Sequence, residues 1–241
     1  MLRRPRSEET IRLLAPLLTP ERRRRIRQIL QQRTRYVTLV LDDLYHQHNM
    51  SAVVRSCEAF GVQDIHVIET ENRFAPSHGV AMGSQQWITI LRHGSVDECV
   101  NTLRTMGYRI FAADPPDKAK ETQGKEALSI HELDLARGPV AIALGKELDG
   151  LDIRLREQAD GVVYIPLYGF TESLNVSVTA ALFLYELRKR LEELPKDKWQ
   201  LSLDECTELE ALWHIRSLKH GEKILRDLIR KEEELKGQKG G

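Results

Sequence analysis

Short apolar runs alternate with amphipathic stretches along most of the chain, and this alternation predicts an α/β fold. Apolar runs bounded by turn residues are typical of buried strands, whereas apolar residues spaced three and four apart are typical of helices. Alternating strands and helices predict a mostly parallel sheet with helices on both faces. The predicted strands are residues 36–41, 64–68, 87–91, 108–113, 139–144 and 162–165.

Helices are predicted between these strands and towards both ends of the chain. Residues 49–61 form an amphipathic helix with Asn49 as its N-cap and Gly61 after its end, and Ser95 caps a second helix. Residues 1–19 lack a clear pattern, and a short basic helix begins at Thr19-Pro20. Residues 195–200 form a polar linker before a helical tail, which breaks at Gly221 and is expected to close onto the body of the protein.

Residues 162–190 combine a short strand, a loop and a helix that is apolar on nearly every face. Pro166 ends the strand, and the helix begins near Ser173 or Asn175, which are both good N-cap types. A helix without a polar face is predicted to be buried all round, by a core on one side and a second subunit on the other. We therefore predict a homodimer built on this helix, with Phe183 and Leu184 in the subunit contact.

Charge is segregated along the chain, although the formal net charge is zero. Residues 1–35 hold eleven Arg and three Glu, which leaves residues 36–241 with a net charge of −8. Guanidinium groups suit phosphate recognition, so the basic helix is predicted to bind RNA, with a solvated charged face as the alternative. The predicted RNA-binding residues are Arg22, Arg23, Arg24, Arg25 and Arg27.

Several functional classes are not supported by the composition. No run approaches the roughly 18 consecutive apolar residues of a membrane span, and the arginines near Met1 have no apolar secretory segment behind them. The cysteines lack ligand spacing and are expected to be buried thiols in a reducing, cytoplasmic compartment. His46 and His48 lack suitably spaced partners, so no metal site is predicted. Phosphate-loop and dinucleotide-binding glycine patterns are absent from the sequence.

Three segments resemble, in the right order, the motifs of the SpoU/TrmH-type RNA ribose methyltransferases of the SPOUT class. The first runs from Asn49 to Ser56 (NMSAVVRS), the second from Gly145 to Gly150 (GKELDG) and the third from Ile165 to Ala181 (IPLYGFTESLNVSVTAA). The resemblance covers about residues 20–215. It implies a C-terminal trefoil knot at about residues 139–190, within a methyltransferase domain of residues 36–192. Helical extensions at residues 1–35 and 193–241 flank that domain.

The resemblance also implies a site. The implied catalytic residues are Arg55, Asn49, Glu147, Ser173 and Asn175. The implied cofactor is S-adenosylmethionine, held by the backbone of three loops that contain Ala113, Asp114, Leu144, Gly145, Ile165, Leu167, Ser173 and Leu174. No metal is needed, because a sulfonium is already an activated methyl donor.

The role of Arg55 stays open at this point. A guanidinium has a pKa above about 12, so Arg55 acts as a base only if the site disfavours its charge. Otherwise it orients the ribose or stabilises the developing alkoxide, while a substrate phosphate accepts the proton.

The function that the resemblance implies is 2′-O-methylation of a ribose in tRNA, at guanosine 18 of the D-loop. Methylation of ribosomal RNA is the first alternative, but such family members often carry a larger N-terminal domain than the 35 residues found before the first strand here. A non-catalytic RNA-binding relative is the second alternative, against which the intact motifs argue. In similar tRNA-modifying proteins a C-terminal helical extension packs near the basic N-terminal helix.

Overall fold

Seven parallel strands form one sheet in the computed structural model, which describes residues 6–121, 127–146 and 150–239. Across the sheet their order is β3-β2-β1-β6-β4-β7-β5, and each neighbouring pair is parallel. The strands are β1 (Val37–Asp42), β2 (Asp64–Ile68), β3 (Thr89–His93), β4 (Arg109–Ala113), β5 (Ala127–Ser129), β6 (Val140–Leu144) and β7 (Gly161–Tyr164).

Ten α-helices lie in the described parts of the chain, and none of them has the length and apolar character needed to cross a membrane. They are α1 (Ser7–Leu14), α2 (Pro20–Leu30), α3 (Gln47–Ala59), α4 (His78–Ala81), α5 (Val96–Thr105), α6 (Ile153–Gln158), α7 (Val176–Leu191), α8 (Lys196–Trp199), α9 (Leu203–Arg216) and α10 (Gly221–Lys239). Short 3-10 turns occur at Ala15–Leu17, Ser84–Gln86, Pro116–Glu121 and Leu135–Arg137.

Two apolar layers cover the sheet, one on each face. Successive side chains of a strand point to opposite faces, so Leu39 and Leu41 of β1 join one layer and Val40 joins the other. The first layer also holds the apolar sides of α3 and α7, and the second holds those of α5 and α6. The predicted α/β architecture with helices on both faces is therefore confirmed.

The strand order decides where the loops meet. Since all strands run the same way, β1, β6, β4 and β7 end side by side at one edge, which we call the carboxyl edge. Ligands of open α/β sheets bind beyond such an edge. The trefoil knot at residues 139–190 stays a prediction, because the pairing of strands does not by itself define how the loops thread.

The helices near the two chain ends form a compact unit of their own. This unit comprises the described residues up to Arg33 and from Leu201 onward, whereas residues 34–200 form the sheet unit. Helix α1 packs against α9 and α10 around Leu14, Leu225 and Ile229. The Arg33 guanidinium lies 5.2 Å from the ring centre of the buried Trp213. The tail thus packs with the N-terminal helices, as the resemblance to tRNA-modifying proteins implies.

Some local predictions were wrong. Residues 7–14, expected to be loosely structured, form α1, because Pro5 and Pro16 flank this helix without interrupting it. The expected polar linker at 195–200 contains α8 and the buried Trp199, whose carbonyl accepts the hydroxyl of Thr34 at 2.6 Å. The strand β5 and the helix α6 have only three and six residues, too few to produce a clear pattern.

Candidate active site

The loops that the sequence assigns to a cofactor follow adjacent strands. Within the sheet β4 lies between β6 and β7, so Gly145, Asp114 and Ile165, which follow these strands, come to the same part of the carboxyl edge. Ala113 pairs with Val163 of β7, which places the ends of these two strands at the same level. The structure therefore brings the predicted cofactor segments together.

The loop between β7 and α7 has a backbone free for a ligand. From Ile165 to Ser173 its N–H and C=O groups form no hydrogen bond with any other residue that the structure describes. The carbonyl of Leu174 has one contact, a long hydrogen bond of 3.5 Å from the Thr179 hydroxyl. The side chains of Leu167, Ser173 and Leu174 are exposed. Unpaired backbone groups converging on a cleft are typical of small-molecule sites.

Asn175 connects this loop to α3. As the N-cap of α7 its side-chain oxygen accepts the Ser177 N–H at 2.9 Å, and its amide donates to the side-chain oxygen of Asn49 at 3.1 Å. Asn49 was predicted to cap α3, but the helix begins at Gln47 and Asn49 is buried in its first turn. Its side chain therefore serves a contact between helices rather than a helix end.

Arg55 lies on the same helix, with its side chain exposed. Met50 and Val53 of α3 are buried, and Arg55 points away from that apolar layer. It makes no hydrogen bond or ion pair with another residue in the described ranges. A solvated guanidinium at this position is available to an anionic substrate. Glu147, also predicted to be catalytic, lies outside the described residues.

Gly145 has no space for a side chain. A Cβ at this position would lie 2.2 Å from the carbonyl carbon of Gly150, so a larger residue would displace the backbone. Lys146 and Gly150 exchange backbone hydrogen bonds of 3.0 and 3.1 Å. Gly150 has a φ of 72°, which glycine adopts without strain. Both glycines are therefore required by the local backbone.

The Asp114 carboxylate is already bound within the protein. Its oxygens accept Nε and Nη2 of Arg156 at 2.7 and 3.3 Å, and both side chains are buried. Only the backbone of Ala113 and Asp114 remains as a candidate ligand contact, as expected from the sequence. Arg156, which was not singled out from the sequence, therefore helps to fix the end of β4.

The apolar helix α7 is not buried all round within one chain. Phe183 and Leu184, predicted to lie at a subunit contact, are 1% exposed and belong to the core. The outward stripe is formed by Val178, Leu182 and Tyr185, which are 46%, 40% and 57% exposed. The prediction failed because a helix that is apolar on every side gives no indication of which residues face the sheet.

The basic helix α2 belongs to the helical unit. Thr19 is its N-cap, and its own side chains Ile26 and Leu30 are buried. One arginine of the basic run has an acidic partner in the same unit, because Arg27 Nε donates to Glu210 of α9 at 2.8 Å. The exposed members of the run are Arg22, Arg24, Arg25 and Arg27, whereas Arg23 is half-buried.

A further group of titratable side chains, His66, His93 and Cys99, is buried beside β2 and β3. His66 Nδ1 and His93 Nε2 lie 3.0 Å apart, their rings are parallel to within 5°, and the ring centres are 5.2 Å apart. The distance between the ring centres is close to the N···N distance plus the radii of the two rings. The two parallel rings therefore lie edge to edge in nearly one plane. One nitrogen donates directly to the other, and we describe the pair as a hydrogen bond between neutral imidazoles.

Comparison with known proteins agrees with this architecture. The model of the SpoU rRNA Methylase family matches residues 36–185. A Borreliella burgdorferi protein named tRNA (guanosine(18)-2′-O)-methyltransferase is 36% identical over 181 residues, which are 75% of this chain and 79% of that protein. The protein of the same name from Thermus thermophilus is 30% identical over 196 residues, covering 81% and 96% of the two chains.

Among solved structures, the A. aeolicus TrmH/SpoU tRNA modifying enzyme superposes with a TM-score of 0.65 at 27% identity. The superposition covers 88% of this chain and 96% of that enzyme. The matched family segment includes the sheet, its carboxyl edge and the helices that carry Arg55 and Asn175. The chain belongs to the SpoU rRNA methylase family.

Proposed function

We propose that the protein is a tRNA methyltransferase that moves a methyl group from S-adenosylmethionine to the ribose 2′-hydroxyl of guanosine 18. Family membership supports ribose methylation, and the names of the relatives from Borreliella and Thermus support this nucleotide. The observation that carries the proposal is the carboxyl edge, where the loops after β6, β4 and β7 meet. The contact between Asn49 and Asn175 ties the helix of Arg55 to one of these loops.

The residues of this edge fit the methyl donor. The unpaired backbone between Ile165 and Leu174 offers donors and acceptors, and the crowded turn at Gly145 admits no side chain. When bound, S-adenosylmethionine supplies a methyl group on a sulfonium. We propose that it is held by the backbone of these residues and of their neighbours Leu144, Ala113, Asp114, Leu167 and Ser173.

Arg55 is proposed to act on the acceptor. A ribose hydroxyl is a weak nucleophile and must lose its proton as its oxygen bonds to the methyl carbon and the sulfur–methyl bond breaks. Arg55 is exposed, and its guanidinium is proposed to orient the ribose and to stabilise the developing alkoxide. A phosphate of the substrate then accepts the proton. Asn49, Glu147, Ser173 and Asn175 are proposed to position Arg55 and the ribose.

The exposed arginines of α2 are proposed to bind tRNA phosphates. Arg22, Arg24 and Arg25 are exposed in the first two turns of α2 and are expected to contribute most. Replacing these three by Gln should lower the slope of log affinity against log salt by about 0.7–0.9 for each phosphate that is no longer neutralised. An unchanged slope in a filter-binding titration would show that the run is a solvated surface. A cytoplasmic location is proposed because this substrate is found there.

A homodimer is proposed to cover the exposed stripe of α7. Val178, Leu182 and Tyr185 lie on one side of the helix. The Phe60 ring packs edge-on against the Tyr185 ring, with the two ring centres 6.1 Å apart. Most soluble oligomers pair about a two-fold axis, so this stripe would contact its own copy. Leu182→Glu should yield monomers with reduced activity, whereas Leu203→Glu, at an 82% exposed leucine, should not. A wild-type mass near 27.7 kDa by light scattering would contradict the dimer.

The test of the proposed function is to map the methylated nucleotide. The protein is incubated with labelled S-adenosylmethionine and with unmodified tRNA or ribosomal RNA, and the labelled nucleotide is then identified. Label on the ribose of tRNA guanosine 18 is expected. Label confined to ribosomal RNA would select the first alternative function. Binding of S-adenosylmethionine and RNA without transfer would indicate a non-catalytic relative.

A further inference from the structure

Two consecutive carboxylates, Asp42 and Asp43, lie where β1 reaches the carboxyl edge beside β6. Asp42 is the last residue of β1, and Asp43 follows it with a φ of 50°, a conformation that residues other than glycine rarely adopt. They are only 2% and 1% exposed. A buried carboxylate costs free energy unless hydrogen-bond donors surround it. The segments that supply donors to Asp42 and Asp43 are therefore the segments that these residues hold in place.

Asp43 has donors from two different loops. Its Oδ1 accepts the N–H groups of Thr70, Glu71 and Asn72 at 3.1, 3.1 and 2.8 Å. Its Oδ2 lies 3.1 Å from Nζ of Lys146 and also accepts the Asn72 side-chain amide at 3.1 Å. Burial acts to raise the pKa of Asp43, but these hydrogen bonds and the Lys146 ammonium outweigh it and the pKa is lowered. The ionised carboxylate therefore joins the segment after β2 to the residue after Gly145.

Asp42 holds a different residue of the same loop. Its Oδ2 accepts the N–H of Asp152 at 2.7 Å. Asp152 is the N-cap of α6, because its own carboxylate accepts the N–H of Arg154 at 2.8 Å. Burial raises the pKa of Asp42 above its ordinary value. Asp42 therefore fixes the point at which the chain enters α6.

Together the two carboxylates hold both ends of the β6–α6 loop, which is residues 145–152. Lys146 is bound to Asp43 at the start of the loop, and Asp152 is bound to Asp42 at its end. Between these points Lys146 and Gly150 are linked by their reciprocal backbone hydrogen bonds. All of these contacts involve described residues on either side of Glu147.

We propose that Asp42 and Asp43 are positioning residues that hold the two described ends of the β6–α6 loop in the place that receives the methyl donor. The proposal rests on the proposed function, since it takes the described start of this loop, with Gly145, as part of the methyl-transfer site. Neither carboxylate needs to touch substrate, because each acts through the backbone that it holds. The positive φ of Asp43 is maintained by the same hydrogen bonds.

The test compares matched carboxylates at opposite edges of the sheet. Asp43→Asn keeps the side-chain size but loses the charge that binds Lys146. Asp160→Asn is the control, because Asp160 also accepts a backbone N–H, from Ile110 at 2.7 Å, and pairs with a cation, Arg104 at 2.6 Å. Asp160 precedes β7 and so lies away from the carboxyl edge.

Calorimetric titration of each variant with S-adenosylmethionine alone gives the main readout. Asp43→Asn and Asp42→Asn should each bind it roughly tenfold more weakly, and Asp160→Asn should bind it as the wild type does. The KM for the donor should rise more than kcat falls. Lys146→Met should also weaken donor binding, and the double variant with Asp43→Asn should lose less than the sum of the two single losses, because both changes remove the ion pair between these residues. Equal donor affinity in Asp43→Asn and Asp160→Asn would overturn the proposal.

Hydrogen exchange separates this proposal from the proposed function. If the wild type binds no S-adenosylmethionine, the proposed function fails, and exchange at the N–H groups of Lys146 and Gly150 tests the loop contacts alone. Faster exchange in Asp43→Asn than in Asp160→Asn supports the positioning role, and equal exchange contradicts it. If Asp43→Asn does not fold, Lys146→Met gives the same comparison, since the Lys146 side chain is partly exposed.

Discussion

Two loops of the carboxyl edge are held in different ways. At the described ends of the β6–α6 loop, Lys146 is bound to Asp43, Asp152 is bound to Asp42, and the backbone of Lys146 is paired with that of Gly150. In the loop from Ile165 to Leu174 almost no backbone group is bound to the described chain. The ends of the first loop are thus fixed in place, and the second loop offers unused hydrogen-bonding groups.

This difference suggests a division of roles in ligand binding. A loop whose polar groups are satisfied gains few new hydrogen bonds from a ligand, so it contributes mainly shape. A loop with exposed, unpaired backbone gains many, and it loses conformational freedom when it does so. We therefore expect the methyl donor to order the second loop against the first.

Arg55→Ala should have the largest effect and should leave both loops intact. Arg55 lies on α3 and faces solvent, and it is proposed to act on the acceptor ribose rather than on the donor loops. We expect single-turnover methyl transfer to fall by at least about a hundredfold, with binding of S-adenosylmethionine nearly unchanged. Retention of a tenth of wild-type transfer would remove Arg55 from the catalytic role.

Asn175→Ala should affect the second loop alone, and more moderately. The substitution removes the cap of α7 and the contact with Asn49, which together fix the end of that loop. We expect a loss of about 1 kcal/mol in the free energy of unfolding and a fall of about tenfold in transfer. Ser202→Ala removes a comparable cap from α9 and serves as the control. Equal transfer by the two variants would show that the contact with Asn49 is only structural.

The smallest expected effect is a loss of folding stability at acid pH, which does not involve either loop. Burial lowers the pKa of His66 from 6.5 to about 4, and it also lowers that of His93. Below pH 6.5 the unfolded chain takes up protons that the folded chain refuses, so stability is highest above this pH and falls towards pH 4. We expect His66 to account for a loss of about 1 kcal/mol between about pH 7 and 5.5 in urea unfolding, so His66→Leu, which keeps His93, should lose less than the wild type. The same loss in His66→Leu and in the wild type would exclude His66 as its source.

Local patterns predicted six of the seven strands and a parallel sheet, although the strand predicted at residues 87–91 is Thr89–His93. The strand Asp64–Ile68 has the predicted bounds, and Asn175 caps α7 as expected. The cap at Thr19 and the break at Gly221 were also predicted, since each depends on neighbouring residues alone. The roles of Arg55 and of the donor loops came from motif resemblance rather than from periodicity, and they stay predictions.

Contacts between distant segments could not be predicted in this way. Asn49 looked like a helix cap, but 126 positions separate it from Asn175, to which it is bonded. Asp42 and Asp43 were visible only as an acidic pair after a strand, and their donors at Asp152 and Lys146 follow from the adjacency of β1 and β6. Acidic residues at the carboxyl end of a central strand were the available signal.

Hydrogen exchange with and without S-adenosylmethionine tests the central claim most directly, namely that the donor binds where these two loops meet. We expect strong new protection of the N–H groups between residues 165 and 174. At Lys146 and Gly150, which are already hydrogen-bonded, the change should be small. The wild-type protein and Arg55→Ala should give the same pattern. Protection confined to other segments, or equal protection in both loops, would contradict the account.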